Sequence, residues 1–137
     1  MRGTTSTTAV VVLMAVLATA ALASRDGNPP TFAGLKSATT CIPGLIRGQT
    51  TSYHLSWDQA TDDVTPSAMI VYDIYQATKT GGEDFSSPTY TVRHGATTFT
   101  TSPLPADQTF YFVVRARDRA GNSDSNMAEQ EGVNICA

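Results

Sequence analysis

His54 and His94 are the only histidines in the chain. Hydrolytic chemistry would need one of them beside a nucleophile, with an acid to orient it. His54 falls on the outward side of an alternating run, and His94 stands beside Gly95 in a loop-like stretch. No Gly-x-Ser-x-Gly motif, phosphate loop or metal-binding histidine pair is present. The expectation is therefore two surface histidines and no enzyme. Two cysteines, Cys41 and Cys136, cannot fill a tetrahedral zinc shell without a nearby histidine. A third group is oxygen-rich: Asp26 and Asn28, Asp62 and Asp63, then Asp118, Asn122, Asp124 and Asn126. Carboxylates and amides are the ligands that calcium takes, six to eight oxygens at a time. The same residue types are also ordinary turn formers that hydrogen-bond their own backbone.

The chain has 137 residues, enough for one domain. Its net charge is −3, with a pI near 5.1, which lacks the basic footprint that phosphate contacts require. Nucleic acid is excluded as a first reading. Residues 1–23 read as a secretory signal peptide. Arg2 is followed by an apolar run, Ala9 to Ala18, and Ala21-Leu22-Ala23 offers small residues for cleavage before Ser24. The run is too short to span a bilayer, so no membrane insertion is expected after cleavage. The mature chain, 24–137, keeps eight basic residues against twelve acids, for a charge of −4. Export places it in the periplasm, at the cell surface or beyond, where an even pair of cysteines oxidises. Cys41 and Cys136 are read as one disulfide.

The residues that must position these groups are strand formers. Charged residues make up 15% of the chain, and much of the shortfall is Ser and Thr, which favours strands and turns over helices. After a polar lead-in at 24–30, seven short runs follow: 31–39, 51–57, 69–77, 88–92, 97–101, 110–117 and 127–135. In the second, Tyr53, Leu55 and Trp57 share one face. In the third, Ile70, Tyr72 and Ile74 do so. In the sixth, Phe110, Phe112, Val114 and Ala116 do so. Seven short strands with turn signals between them predict an all-β, immunoglobulin-like two-sheet sandwich over 31–137.

Four stretches resemble a fibronectin type III domain of a secreted, bacterial-type protein. They are Leu55-Ser56-Trp57, Ile70-Val71-Tyr72-Asp73-Ile74-Tyr75, Leu104 with Phe110 to Ala116, and the turn Asp118-Arg119-Ala120-Gly121-Asn122. The resemblance spans roughly 30–135. One departure is Phe110, which stands where the family carries a corner tyrosine and cannot make its hydroxyl bond. The resemblance implies that Cys41 and Cys136 meet at one pole, closing nearly the whole domain into a ring. It also implies that Asp62, Asp63, Asp118 and Asn122 gather at the other pole with the lead-in, as a candidate calcium site. No Arg-Gly-Asp tripeptide is present, so integrin-type adhesion does not carry over.

Alternation places Val71, Tyr75, Tyr111 and Val113 on the outer face of the sheet made by strands three, six and seven, flanked by Arg115 and Arg117. Aromatic and arginine side chains are enriched at interface hot spots, so these six residues are the expected partner-binding surface. Arginine stems lying over the tyrosines would cover that surface instead. The expected function is an exported, non-enzymatic binding or structural module contacting an extracellular or envelope protein. A carbohydrate-binding accessory domain with Tyr75 and Tyr111 as stacking platforms, and a calcium-stabilised adhesion module, are the alternatives.

Overall fold

The computed structural model of the chain describes residues 25–93 and 95–136. Residues 1–23, read in the sequence as a signal peptide, lie outside these residues, as do Ser24, His94 and Ala137. Within them no helix is long and apolar enough to cross a membrane.

The domain is nearly all β. Its strands are β1 (Leu35–Thr40), β2 (Thr50–Thr51), β3 (His54–Trp57), β4 (Val71–Ala77) and β5 (Tyr90–Val92). They continue with β6 (Thr98–Thr100), β7 (Leu104–Pro105), β8 (Tyr111–Arg117), β9 (Gln130–Glu131) and β10 (Val133–Asn134). Two four-stranded sheets, ordered β10-β1-β3-β6 and β5-β4-β8-β9, form a sandwich-like pair, with a small β2-β7 ladder beside them. All ladders are antiparallel except β1 with β10.

The core is built from the alternating faces read in the sequence. Leu55 and Trp57 from β3 meet Tyr72 and Ile74 from β4, and Phe112, Val114 and Ala116 from β8. Each large apolar side chain removed from water contributes roughly 1.5–3 kcal/mol. The polar tips inside are satisfied: the Trp57 indole donates to the Ala96 carbonyl at 2.8 Å, and Tyr72 Oη accepts from the Ala60 amide at 2.8 Å. Phe110 is buried and meets Tyr53 edge-on, ring centroids 6.0 Å apart. The register of this strand is therefore the one read from alternation, with Phe110 inside.

Several boundaries differ from the sequence reading. Ten short strands stand among the described residues where seven were expected. A 3-10 turn at Ser67–Met69 delays the third run to Val71, and the corner at Leu104–Pro105 is itself a short strand. The first strand begins at Leu35; Thr31 makes only an isolated bridge to Thr61. The second run breaks at Ser52-Tyr53 into β2 and β3. The last run divides at Gly132 and changes sheets. β9 pairs with β8, whereas β10 pairs with β1. Gly132 fits because a Cβ there would sit 2.3 Å from Cε1 of the Tyr53 ring. No side chain can stand at that crossing without moving a buried tyrosine.

Cys41 and Cys136 form a disulfide across a sequence separation of 95. Both cysteines are exposed. The closure is reinforced beside it. The Ile42 amide donates to Asn134 Oδ1 at 2.9 Å, Asn134 Nδ2 donates to the Ile42 carbonyl at 3.2 Å, and the Ile135 amide donates to the Thr40 carbonyl at 2.9 Å.

Candidate functional site

Three loops build the pole opposite the disulfide. The lead-in is pinned to the loop after β3 by the paired Thr31 and Thr61 backbones, at 2.7 and 3.1 Å. In that loop Asp62 Oδ2 accepts the amides of Val64 (3.0 Å) and Thr65 (2.7 Å), the local turn that aspartate favours. After β8, the Asp118 carboxylate accepts the Asn122 amide at 2.8 Å and the Asn122 side-chain amide at 2.7 Å. Gly121, with φ +96°, supplies the left-handed residue this turn requires. Asn122 Nδ2 also reaches the Asp26 carbonyl at 3.1 Å and so ties the lead-in to the β8 turn.

These bonds draw three carboxylates together. Asp26, Asp62 and Asp118 each offer an oxygen, and the three oxygens lie within 4.8 Å of one another. Asp118 is buried, and the other two are half-buried. Asp26 Oδ2 and Asp62 Oδ1 are shielded from solvent and make no hydrogen bond to protein. Loss of solvation pushes the Asp26 carboxyl above the ordinary aspartate range. The charges of Asp62, Asp118 and Asp63 push the same way, against the lowering effect of the Asn28 amide bond. Hard carboxylate oxygens held this close suit a hard divalent cation such as calcium.

The membership of this cluster differs from the sequence reading. Asp62 and Asp118 belong to it, with Asn122 as the residue that holds it together. Asp63 instead accepts the Asn28 side-chain amide at 2.9 Å, and Asp26 takes the third carboxylate place. Asp124 and Asn126 serve β8: Asp124 accepts the Ala116 amide at 2.5 Å, and Asn126 Nδ2 donates to the Val114 carbonyl at 2.9 Å.

The outer face of β4 and β8 requires a correction. Tyr75 is 7% exposed and Val113 is 1% exposed, so neither is an open contact surface. Val71 and Tyr111 are half-buried. The cover is Phe85, from the segment between β4 and β5, whose ring lies 5.0 Å from that of Tyr75. Arg115 extends over both rings, its guanidinium carbon 3.7 Å from the Phe85 centroid and 5.8 Å from that of Tyr75. Its Nε donates to the Asn126 carbonyl at 3.1 Å. Arg117 is committed to buried Asp73, which also accepts from Thr91 Oγ1 at 2.8 Å. Alternation identified the outward face, but a residue eight or more positions away closes it. A lone phenylalanine in the polar, glycine-bearing run after β4 was the available signal.

His54 is exposed and lies 3.4 Å from Thr100 Oγ1 across the strand pair; no described carboxylate bonds to it. At the disulfide pole an open cavity of about 300 Å³ is lined by Ile42, Leu45, Tyr53, Thr109 and Asn134, among others. Around that pole, Leu45, Ile46, Val133 and Ile135 are each more than half exposed.

No protein-family model and no curated protein matches this chain.

Proposed function

We propose that this protein is an exported, non-enzymatic binding module, a disulfide-closed sandwich of fibronectin type III kind that contacts an extracellular or envelope protein. The sheet order β5-β4-β8-β9 against β10-β1-β3-β6, with Phe112, Val114 and Ala116 of β8 in the core, supports that family reading. The binding reading is carried by one observation: the four exposed apolar side chains at the disulfide pole, Leu45, Ile46, Val133 and Ile135. Exposed apolar clusters rimmed by polar residues commonly mark partner sites. A disulfide beside them holds the loop and the last strand in one arrangement, which lowers the ordering cost of binding. The carbohydrate alternative loses support, because Tyr75 lies beneath Phe85 and cannot act as a stacking platform.

Crosslink capture from native envelope and medium fractions, with the oxidised protein as bait, tests this reading. One reproducible protein partner, lost in an Ile46→Lys, Ile135→Lys double variant that still melts cooperatively, is the expected result. Capture unaffected by that variant would move the contact away from the disulfide pole. An absence of protein partners together with binding on a glycan array would replace the reading with the carbohydrate one.

A second reading concerns the opposite pole. Two solvent-shielded carboxylate oxygens without hydrogen bonds, beside a buried third carboxylate, favour calcium as a stabiliser of the module. Asp26, Asp62 and Asp118 would hold it. Calcium titration followed by thermal melting tests this directly.

A further inference from the structure

The cavity at the disulfide pole has three walls tied to one another. One is the loop after β1, with Ile42 and Leu45. The second is the turn after β7, with Ala106 and Asp107. The third is the sheet crossing at Gly132 and Asn134. The Cys41–Cys136 disulfide and the Asn134 side-chain amide join the first wall to the third. The Ala106 amide donates to the Gln49 carbonyl at 2.8 Å beside the β2–β7 ladder, so the second wall is held to the first. A cavity fixed in this way needs little ordering when it is filled. Its volume of about 300 Å³ is at the lower end for ligand clefts, roughly 300–1,000 Å³, and suits one side chain rather than a large molecule.

Tyr53 lines the cavity and is only 4% exposed. Its ring packs against Phe110 and Phe112 and runs past Gly132, where a Cβ would strike Cε1 and Cζ. The core holds three aromatic side chains with a polar tip, Tyr53, Trp57 and Tyr72. Trp57 and Tyr72 use theirs on backbone partners, but no described residue hydrogen-bonds the Tyr53 hydroxyl. A buried hydroxyl ordinarily has a partner, so this one is left for a group that enters the cavity. The other polar groups narrow what enters. The Asn134 amide is taken by Ile42, and the Thr40 and Thr51 hydroxyls bond each other. Asp107 is the one charged residue among the described lining, is exposed, and pairs with no described cation. Arg47 belongs to the first loop but does not line the cavity. Burial first, and then the Glu131 charge, push the Tyr53 phenol above its ordinary range, so it stays neutral and its oxygen can accept. An anion meets no lining cation here. A sugar meets no open aromatic face, because the Tyr53 ring is packed in the core.

We propose that this cavity is a socket for a primary alkylammonium group, with the charge taken by Asp107 and the Tyr53 hydroxyl and the methylene stem lying along Ile42, Leu45 and Ala106. The ammonium donates hydrogen bonds to the phenol oxygen and to the carboxylate. The stem covers apolar surface, as lysine stems do on protein surfaces. A lysine side chain has this combination of a compact charge and a flexible four-carbon stem. Leu45 belongs both to the cavity wall and to the exposed apolar group at this pole. Assigning the ammonium to a lysine of the protein partner therefore rests on the binding reading given above. The socket itself is tested without any partner.

The test is an NMR titration of the oxidised protein at about pH 7, where the lysine ammonium is charged. One probe is acetyl-lysine amide. The other is acetyl-norleucine amide, which keeps the stem and lacks the ammonium. The lysine compound should give saturable shifts of the Ala106, Asp107 and Gly132 amides, and the norleucine compound should bind about tenfold more weakly. Tyr53→Phe, which removes only the hydroxyl, should weaken the lysine compound about tenfold. Asp107→Asn should weaken it about threefold, because an exposed charge pair contributes little. Both variants should still melt cooperatively by Trp57 fluorescence. Equal binding of the two compounds would overturn the socket, as would shifts that never saturate or a Tyr53→Phe protein that binds like the wild type. If the socket fails while the Ile46→Lys, Ile135→Lys variant still loses a captured partner, the binding reading stands without it. Saturable lysine binding with no captured protein would keep the socket as a small-amine site and remove the lysine-bearing partner.

Discussion

Arg117 holds Asp73 through two hydrogen bonds, Nε to Oδ2 at 2.7 Å and Nη2 to Oδ1 at 3.1 Å, on the side of the sheet facing away from the core. The carboxylate is 5% exposed and the arginine 37%. The two residues are diagonal neighbours across the central β4–β8 ladder, where Asp73 stands in register with Arg115 and Arg117 with Val71. Asp73 therefore carries a charge in a dry position on a face that alternation alone assigns to solvent.

Removal of the arginine leaves that charge without its main partner. A buried carboxylate stripped of its ion pair destabilises by several kcal/mol, reduced here by the solvent reaching Arg117. Arg117→Ala should cost about 2 kcal/mol in urea unfolding. The Asp73→Asn, Arg117→Met double variant should recover part of that loss, because no charge is then left buried. Equal stability of wild type and Arg117→Ala would show the pair to be energetically neutral.

The disulfide gives a larger effect. Cross-linking residues 95 apart removes loop-closure entropy worth about 4–5 kcal/mol, an upper figure. Reduction, or Cys41→Ser with Cys136→Ser, should lower the melting temperature steeply, with Trp57, the one tryptophan, as the fluorescent probe. An unchanged melting temperature would mean that the β1–β10 pairing and the Asn134 bonds suffice alone.

Calcium should raise the melting temperature in a concentration-dependent way, reaching about 2.7 kcal/mol of stabilisation at a hundred times its dissociation constant. Asp26→Asn should abolish that response. In chelator the same substitution should leave the fold at least as stable, because one of three mutually repelling carboxylates is gone. A calcium response retained in the variant would exclude Asp26 as a ligand.

Gly132→Ala should destabilise by about 1–3 kcal/mol, because the new methyl group meets the Tyr53 ring. Tyr53→Leu alone should also destabilise, and the two together should cost less than their sum in a double-mutant cycle. Strict additivity would mean that the backbone at the sheet crossing relaxes freely.

These contacts mark where the sequence was legible and where it was not. Tyr53, Leu55, Trp57, Phe112 and Val114 were read as inward-facing, and they are buried, because period-two alternation reports the side of a strand. Alternation does not report whether the other side meets solvent. Tyr75 is covered by Phe85, a contact made by a loop of no periodicity, and its cross-strand neighbour Val113 is buried as well. At the acidic pole, turn chemistry brought Asp62, Asp118 and Asn122 into view. The exchange of Asp63 for Asp26 depends on which side of the Asn28 turn each carboxylate takes, and spacing carries no record of that. The sheet change at Gly132 turns on a single missing Cβ against one ring.

The ring closed by Cys41 and Cys136 also fixes how the domain would bear tension. A pull applied before β1 and after Cys136 travels along β1 to Cys41 and crosses the sulfur bridge directly. The chain between the two cysteines, which holds β3, β4 and β8, lies outside that load path and cannot be drawn out while the bridge is oxidised. Stretching can release only the short length ahead of Cys41, so the oxidised domain behaves as a nearly inextensible link. Reduction would turn the same chain into a long extensible tether.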